Sequence, residues 1–264
     1  MKEIDYSLLD RDDISSTMFH ARFGDWLPPL DGASDHIVSV GGPTSNGGTW
    51  ISCRFFPYDK SSPSILHFHG NGEVVSDYNN MYRHSRQYGI NIFAAEYRGY
   101  GASYGTPTFS NMLSDAHDIY DYFRNFLLVQ GYVDKLFVMG RSMGASPALE
   151  LASHYQESFK GIIIESGSGG VNGWDRWIRP SDDPGAWNRM TVLHMEKLKS
   201  LTLPLLTIHG ELDDIIPLSR AIELQEAVSS HPKELIVIPK AGHNTMFVVG
   251  MNKYMESLSK FVTD

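Results

Sequence analysis

Ser142 is the residue of this chain whose surroundings most clearly indicate chemistry. It is the centre of the sequence GRSMG at residues 140–144, a Gly-x-Ser-x-Gly pattern. An apolar run, Leu136–Met139, comes before the pattern, and a helical pattern begins after it at Ala145. Between a strand and a helix, this pattern is typical of a sharp turn that presents a serine hydroxyl as a nucleophile. The two glycines are expected because the backbones on either side of such a turn nearly touch.

A second Gly-x-Ser-x-Gly pattern, GASYG at residues 101–105, lacks this context. The apolar run that precedes it covers residues 90–95 and ends before the pattern begins, and Thr106 and Pro107 follow it. No helix is therefore expected after Ser103, and we interpret this serine as a loop residue near the site. Because the pattern alone decides little, the neighbouring elements select Ser142.

Two further side chains, those of His243 and Asp213, follow other predicted strands and are candidates to activate Ser142. A serine hydroxyl is a weak nucleophile and needs a base to take its proton. We assign this role to His243, because imidazole transfers protons in both directions near neutral pH. An acid must then fix the tautomer of the imidazole, and we assign that role to Asp213. The adjacent Asp214 stays open as an alternative acid.

Backbone N–H groups are candidates to bind the negative oxygen that forms when a serine attacks an acyl carbon. One is the N–H of Met143, at the start of the predicted helix. We assign the second to Asn71, in the sequence HGNG at residues 69–72, where two glycines allow a close approach. A plain Gly-Asn-Gly turn without this role is the alternative.

His67 and His69 lie two residues apart and would share one face of a strand, an arrangement that also occurs in metal sites. No third ligand follows them at a spacing that a zinc site requires. We therefore interpret His69 as a strand-end histidine that orders the following turn. No metal and no organic cofactor are predicted.

The segment between Glu165 and Leu201 is longer than an ordinary connection between strands. We predict a small lid at about residues 168–198, inserted into a single domain that spans residues 1–264. Three tryptophans in this segment are candidate substrate contacts of an apolar lining: Trp174, Trp177 and Trp187. Alternatively, they seal the lid onto the core of the domain.

The rest of the chain supplies the elements that must position these residues. Apolar runs predict strands at residues 37–40, 50–56, 64–68, 90–95, 135–139, 161–165, 205–209 and 234–238, and helical patterns lie at 76–88, 109–129, 145–155, 218–229 and 245–262. This alternation indicates an α/β fold with a mostly parallel eight-stranded sheet and helices on both faces. Sites in such sheets lie beyond the carboxyl ends of the strands, which is where Ser142, Asp213 and His243 fall.

The bulk properties exclude several classes of partner. The 264 residues suffice for one domain, and a net charge of −9 argues against nucleic acid and anionic membrane surfaces, which both require a basic footprint. The single cysteine, Cys53, allows no internal disulfide, which suits a reducing compartment. No apolar run approaches the roughly 20 residues of a membrane span, and the acidic N-terminus lacks the core of a signal peptide. We therefore expect a cytoplasmic protein.

Taken together, these motifs resemble those of the α/β-hydrolase family over roughly residue 36 to the end of the chain. The matching motifs are HGNG at 69–72, YRGYG at 97–101, GRSMG at 140–144 and the pair Gly242-His243. The order Ser, Asp, His along the chain also matches. The spacing of Gly210, Asp213 and Pro217 resembles the acid loop of the family and favours Asp213 over Asp214. The chain is most similar to small serine hydrolases that include esterases, monoacylglycerol lipases and protein depalmitoylases.

This resemblance implies the α/β-hydrolase fold and a serine hydrolase. We expect the enzyme to cleave a small-molecule carboxylic ester or thioester through an acyl-enzyme on Ser142. An acyltransferase that uses the same acyl-enzyme is one alternative. A non-catalytic ligand-binding protein on the same fold is another, because a fold does not imply a function. The second alternative is disfavoured because a scaffold needs no serine, histidine and aspartate together.

Overall fold

In the computed structural model of the protein, residues 3–30, 32–41, 48–169 and 183–264 are described. Within these ranges the strands are β1 (Ser34–Val40), β2 (Thr49–Phe56), β3 (Ser64–Phe68), β4 (Asn91–Ala95), β5 (Leu136–Arg141), β6 (Phe159–Glu165), β7 (Leu205–Gly210) and β8 (Lys233–Ile238). They form one sheet in the spatial order β1-β2-β4-β3-β5-β6-β7-β8. β2 pairs with β1 and β4 in antiparallel fashion, and all other pairs are parallel. The predicted α/β class and the mostly parallel eight-stranded sheet are confirmed.

The helices of the described ranges are α1 (Asp12–Met18), α2 (Asn79–Ser85), α3 (Phe109–Gln130), α4 (Ala145–His154), α5 (Pro184–Lys199), α6 (Leu218–Ala227) and α7 (Met246–Thr263). The longest of them, α3, has well-formed caps. The Thr108 side chain accepts a hydrogen bond from the N–H of Asn111, and Gly131 closes the helix in the left-handed conformation at φ 76°. These local signals explain why the pattern of residues 109–129 predicted this helix so closely. Among the described residues, none of the helices combines the length and the hydrophobicity that a membrane span requires.

Two hydrophobic clusters cover the two faces of the sheet, as the continuous apolar strands require. Successive side chains of a strand point to opposite faces. In β3, Leu66 and Phe68 belong to the cluster that contains Phe123 of α3. Ile65 belongs to the other cluster, which contains Tyr254 of α7. β3, β4 and β5 are buried along their whole length, which fits central strands with helices on both sides.

The structure differs from the sequence-based prediction in three places. The sequence patterns predicted no helix before residue 35, where α1 forms and buries Ile14 and Met18. The helix predicted over residues 76–88 is divided into a 3₁₀ turn at Val75–Tyr78, α2, and a second 3₁₀ turn at Arg86–Tyr88. The pattern analysis also gave no helix between β6 and β7, where α5 lies. Parallel neighbours need a long crossover, and a helix usually provides it.

His67 is a fully buried histidine of β3 and lies two residues before His69, where the turn at residues 69–72 begins. Its Nδ1 is hydrogen-bonded to the hydroxyl of Tyr82, and its ring also contacts the ring of Tyr78 edge-on. Burial, together with the charges of His69 and Arg141, lowers the pKa of His67 to about 3. The ring is therefore neutral in the folded protein at neutral pH.

We expect His67→Gln to reduce the acid sensitivity of the protein between pH 6.5 and pH 5. The folded protein keeps this ring neutral in that range, whereas the unfolded chain takes up a proton near pH 6.5. The free energy of unfolding must then decrease as the pH falls, by roughly 1–2 kcal/mol from this residue alone. Urea unfolding of both proteins at the two pH values measures the difference. Equal losses of stability in the wild type and the variant would contradict this assignment.

Candidate active site

Ser142 lies in a sharp turn between β5 and α4, and its backbone is in the left-handed region at φ 51°. A Cβ atom at Gly140 would lie 2.1 Å from the carbonyl oxygen of Gly144. A Cβ atom at Gly144 would lie 2.2 Å from the carbonyl oxygen of Phe68 in β3. Only glycine fits at these two positions, as the sequence pattern predicted. A non-glycine residue with a positive φ persists only where its surroundings enforce it, and such strain is common at functional sites.

His243 and Asp213 meet Ser142 at the carboxyl edge of the sheet. The Nε2 atom of His243 is 3.1 Å from the Oγ atom of Ser142, and its Nδ1 atom is 2.8 Å from the Oδ2 atom of Asp213. The three residues follow β5, β7 and β8, which lie within four neighbouring strands of the sheet. Ser142 is half-buried, whereas Asp213 and His243 are each about 6 % exposed. This chain of hydrogen bonds can take a proton from the hydroxyl and return it to a leaving group.

The carboxylate of Asp213 accepts hydrogen bonds from backbone N–H groups in addition to its bond with His243. Its Oδ1 atom accepts hydrogen bonds from the backbone N–H groups of Ile215 and Ile216, at 3.1 and 2.8 Å. Burial raises the pKa of Asp213, but the hydrogen bonds from His243 and Ile216 outweigh it, and the net pKa is lowered. The group is thus ionised at neutral pH. The alternative acid, Asp214, is exposed, whereas Asp213 bonds His243, so the geometry favours Asp213.

Asn71 lies in the turn after β3, and its side chain bonds residues other than those of the hydrogen-bonded chain at Ser142. Its Nδ2 atom donates to the carbonyl oxygen of Met18 at 2.6 Å, and its Oδ1 atom accepts from the N–H of His20 at 2.9 Å and the hydroxyl of Tyr100 at 2.6 Å. The next residue, Gly72, has a φ of 73°. These contacts fix the side chain, so only the backbone N–H of Asn71 remains a candidate for binding an oxyanion.

His69 and Glu96 form a buried pair beside this turn. The Nε2 atom of His69 is 2.8 Å from the Oε2 atom of Glu96, and its Nδ1 atom donates to the carbonyl oxygen of Gly70 at 2.8 Å. Burial lowers the pKa of His69, but the charge of Glu96 and its hydrogen bond outweigh this, and the net pKa is raised. The ring therefore fixes the turn, as the sequence interpretation had it.

Ser103, the other candidate serine, is buried in a loop, where its hydroxyl accepts a hydrogen bond from the N–H of Ser52 at 2.9 Å.

Arg141, which precedes Ser142, forms a buried network beside the site that the sequence patterns did not predict. Its guanidinium is nearly buried, and each nitrogen has a partner. Nε donates to Glu165 at 3.1 Å, and Nη1 lies 2.5 Å from a carboxylate oxygen of Glu73. Nη2 donates to the carbonyl oxygen of His243 at 2.9 Å and to the side-chain oxygen of Asn244 at 2.8 Å. One side chain thus joins the histidine loop to two carboxylates.

The partners of Arg141 extend this network to the turn after β3. The Oε2 atom of Glu73 accepts the backbone N–H of Gly70 at 2.7 Å. Burial lowers the pKa of Arg141, but Tyr78 and the carboxylates of Glu165 and Glu73 raise it, so the guanidinium stays charged. A signal for this residue was present in the sequence, because a charged side chain at the end of a buried strand must be paired.

A cavity of about 800 Å³ opens beside Ser142. Its described lining includes Asn71, Met143 and His243 from the predicted site and His194 from α5. Apolar wall residues are Met18, Phe109, Leu149, Ile215, Ile216 and Pro217. Trp187 packs against the hydrophobic core and is not among the described residues that line this cavity. Trp174 and Trp177 lie outside the described residues, so no structural statement is made about them.

The chain is similar in sequence to a family model and to known proteins. Residues 59–180 match a family model described as serine aminopeptidase, S33. Alpha/beta hydrolase domain-containing protein 17B from Homo sapiens is 28% identical over 222 residues, which cover 82% of this chain and 72% of that protein. The uncharacterized protein YfhR from Salmonella typhimurium is 26% identical over 236 residues, which cover 83% of this chain and 79% of that protein.

Solved structures share the fold at lower identity. The Pyrococcus furiosus esterase Pf2001 superposes with a TM-score of 0.70 at 17% identity, over 93% of this chain and 98% of that one. Est1E from Butyrivibrio proteoclasticus, solved with ferulic acid bound, gives a TM-score of 0.69 at 15% identity, over 86% and 98% of the two chains. The sheet order and these solved structures show that the chain has the α/β-hydrolase fold, and the relatives that it resembles in sequence support a hydrolase.

Proposed function

We propose that this protein is a serine hydrolase that cleaves a carboxylic ester or thioester through an acyl-enzyme. The observation that carries the proposal is the hydrogen-bonded chain from Ser142 through His243 to Asp213, which opens onto the cavity of about 800 Å³. A nucleophile, a base and an orienting acid in hydrogen-bond contact are what acyl transfer to a serine requires. Two solved structures with this fold, the esterase Pf2001 and Est1E with ferulic acid bound, support an acyl substrate.

In the proposed reaction, Ser142 Oγ attacks the acyl carbon while His243 Nε2 takes the hydroxyl proton. The negative oxygen of the tetrahedral intermediate is bound by the backbone N–H groups of Met143 and Asn71. His243 then gives the proton to the departing alcohol or thiol, and the acyl group stays on Ser142. A water molecule, deprotonated by His243, attacks the acyl-enzyme, and His243 returns the proton to Ser142 Oγ as the bond to the acyl group breaks and the acid leaves. Asp213 keeps the imidazole in the tautomer that has its proton on Nδ1 and stabilises the imidazolium.

The segment at about residues 168–198 is proposed as a wall or lid of the same cavity within a single domain. Ser168 and Gly169 at its beginning line the cavity, as does His194 near its end. His194 Nε2 donates to the carbonyl oxygen of Gly169 at 2.7 Å, so the two ends of the segment are tied together. Trp187, between them, packs against the core, which supports a sealing role for this tryptophan.

We expect Ser142→Ala to abolish covalent labelling by a fluorophosphonate probe, because the probe forms a phosphonate ester, with loss of fluoride, only with an activated serine. Labelling is measured by in-gel fluorescence and by intact mass. The matched control is Ser146→Ala, four residues after Ser142 at the start of α4, which also lines the cavity and should label like the wild type. Equal labelling of the wild type and Ser142→Ala would reject Ser142 as the nucleophile.

A panel of p-nitrophenyl esters and thioesters of increasing chain length then identifies the acyl group. An aminoacyl p-nitroanilide belongs in the panel, because the matching family model is named for aminopeptidases. Labelling without turnover of any member would favour a binding protein over an enzyme.

We expect Asp213→Asn to lower kcat for an ester by about 10³- to 10⁴-fold. An amide at this position would present its NH₂ group to His243 Nδ1 and favour the wrong tautomer of the ring. Asp214→Asn is the matched control, since Asp214 is exposed, and its kcat should stay within about twofold of the wild type. Steady-state kinetics with a p-nitrophenyl ester provide the measurement. A large loss in the control with little loss in Asp213→Asn would transfer the role to Asp214.

Arg141 is proposed as a positioning residue, and we expect Arg141→Lys to slow fluorophosphonate labelling and kcat by about 10- to 100-fold. Lysine keeps the charge, but it cannot bond Glu73, Glu165 and the carbonyl oxygen of His243 at the same time. The readouts are kcat, KM and the melting temperature.

The matched control for this prediction is Arg54→Lys. Arg54 is fully buried and bonds Asp35, Asn79 and the carbonyl oxygen of Leu27 by a comparable network. It contacts none of the three residues of the hydrogen-bonded chain, so its loss should lower the melting temperature and leave the labelling rate nearly unchanged. If both variants lose labelling only in proportion to their lost stability, Arg141 has a merely structural role.

A further inference from the structure

Three side chains that could bind a metal ion lie together where α3 packs against α4. His117 is on α3, and Glu150 and His154 are four residues apart on α4, so that they share one face of the helix. One ligand atom from each residue lies within 4.8 Å of the other two. None of the three lines the cavity beside Ser142. The cluster is therefore separate from the proposed active site.

The separations within this cluster are those of ligands around an ion. The Oε1 atom of Glu150 is 3.5 Å from His117 Nε2 and 3.2 Å from His154 Nδ1. Charge-assisted hydrogen bonds between such groups are shorter, at about 2.7–2.9 Å. An ion that holds nitrogen and oxygen ligands at about 2.0–2.1 Å in a tetrahedron separates them by about 3.3–3.4 Å. The observed distances thus fit the edges of a tetrahedral site better than they fit direct ion pairs.

Outer contacts orient two of the three ligands. The Nδ1 atom of His117 is 2.9 Å from the hydroxyl of Tyr155, which can hold the proton of the ring at Nδ1 and leave the lone pair of Nε2 towards Glu150. The other carboxylate oxygen of Glu150, Oε2, accepts from the Lys197 ammonium at 2.6 Å. Partners of this kind, which fix a histidine tautomer and a carboxylate, are the usual surroundings of metal ligands.

His154 is the ligand that must adjust. Its Nδ1 atom also lies 3.0 Å from the backbone carbonyl oxygen of Glu150 and 3.3 Å from the hydroxyl of Ser153. Coordination through Nδ1 requires the tautomer with the proton on Nε2, and the contact with the carbonyl oxygen must lengthen. The side chain of His154 is 40% exposed, so the ring has room for this rotation.

The charges around the cluster partly offset one another. The positive charge of the Lys197 ammonium repels a bound metal ion, but the negative charge of the Glu150 carboxylate balances it. Two more carboxylates, those of Asp118 and Asp121, come one and four residues after His117 on α3. Two imidazoles and one carboxylate are a donor set that suits Zn²⁺ and neighbouring transition metals rather than Ca²⁺ or Mg²⁺.

We propose that His117, Glu150 and His154 form a binding site for a divalent transition-metal ion of the Zn²⁺ type. Water completes the tetrahedron, because the cluster is partly exposed. The bound ion joins α3 to α4 across the helices that cover one face of the sheet. Its effect is on the stability of the fold, and the activity proposed for Ser142 does not depend on it.

The test is titration of the EDTA-treated, dialysed protein with ZnCl₂ by isothermal calorimetry. We expect one site with a micromolar Kd in the wild type. The double variant His117→Ala/His154→Ala should bind at least 30-fold more weakly at this site, because it keeps only one of the three ligands. His84→Ala, which removes a half-buried histidine of α2, is the control and should bind like the wild type.

A second measurement guards against a double variant that folds poorly. Saturating Zn²⁺ should raise the melting temperature of the wild type by about 5 °C, because an ion that binds the folded state stabilises it. The milder variant Glu150→Gln should lose most of this shift. Absence of binding up to millimolar Zn²⁺, or an undiminished melting shift in both variants, would overturn the proposal. Either result is independent of fluorophosphonate labelling, so the proposed hydrolase activity is tested separately.

Discussion

The site depends on one steric constraint, which is the contact between the end of β5 and the start of α4. A methyl group at Gly140 would overlap the carbonyl oxygen of Gly144, and one at Gly144 would overlap the carbonyl oxygen of Phe68 in the neighbouring β3. The chain can reverse in so little space only if Ser142 adopts a left-handed conformation. That conformation places its hydroxyl at the edge of the sheet, within reach of the histidine that follows β8. The strain at Ser142 is held by the well-packed elements on both sides.

A buried network of charged residues stabilises this edge of the sheet. Arg141 lies one residue before Ser142 in the chain and bonds to Glu73, Glu165 and the carbonyl oxygen of His243. It therefore connects the turn after β3, the end of β6 and the loop after β8. Burying three charged groups is costly unless each hydrogen-bonding position is filled, and here all nitrogens of the guanidinium have partners. Such a network tolerates little displacement, and this rigidity suits a site whose hydrogen bonds must stay aligned.

Differences between the expected and observed elements follow from tertiary contacts. The first helix, α1, contains only seven residues, too few for a clear periodic pattern, and burial of Ile14 and Met18 stabilises it. Around residues 75–88 the helical pattern is correct, but the observed structure contains two 3₁₀ turns that the spacing of apolar residues does not distinguish from an α-helix. The sequence was likewise insufficient to predict the environment of the Trp187 side chain. Its residue type predicts burial, whereas only the position of α5 decides that it faces the core.

The sequence by itself determined the alternation of strands and helices, the sharp turn at Ser142 and the placement of Asp213 and His243 after strands. These features depend on local chemistry: apolar periodicity, glycine where the backbones touch, and turn residues at strand ends. The tertiary structure alone decided which of two adjacent aspartates meets His243, that Arg141 bonds the histidine loop, and that His117 meets Glu150 and His154. Those outcomes depend on how elements that are far apart in the chain pack together. Asp213 and Asp214, for example, are adjacent in the same loop, yet the first carboxylate is buried and the second is exposed.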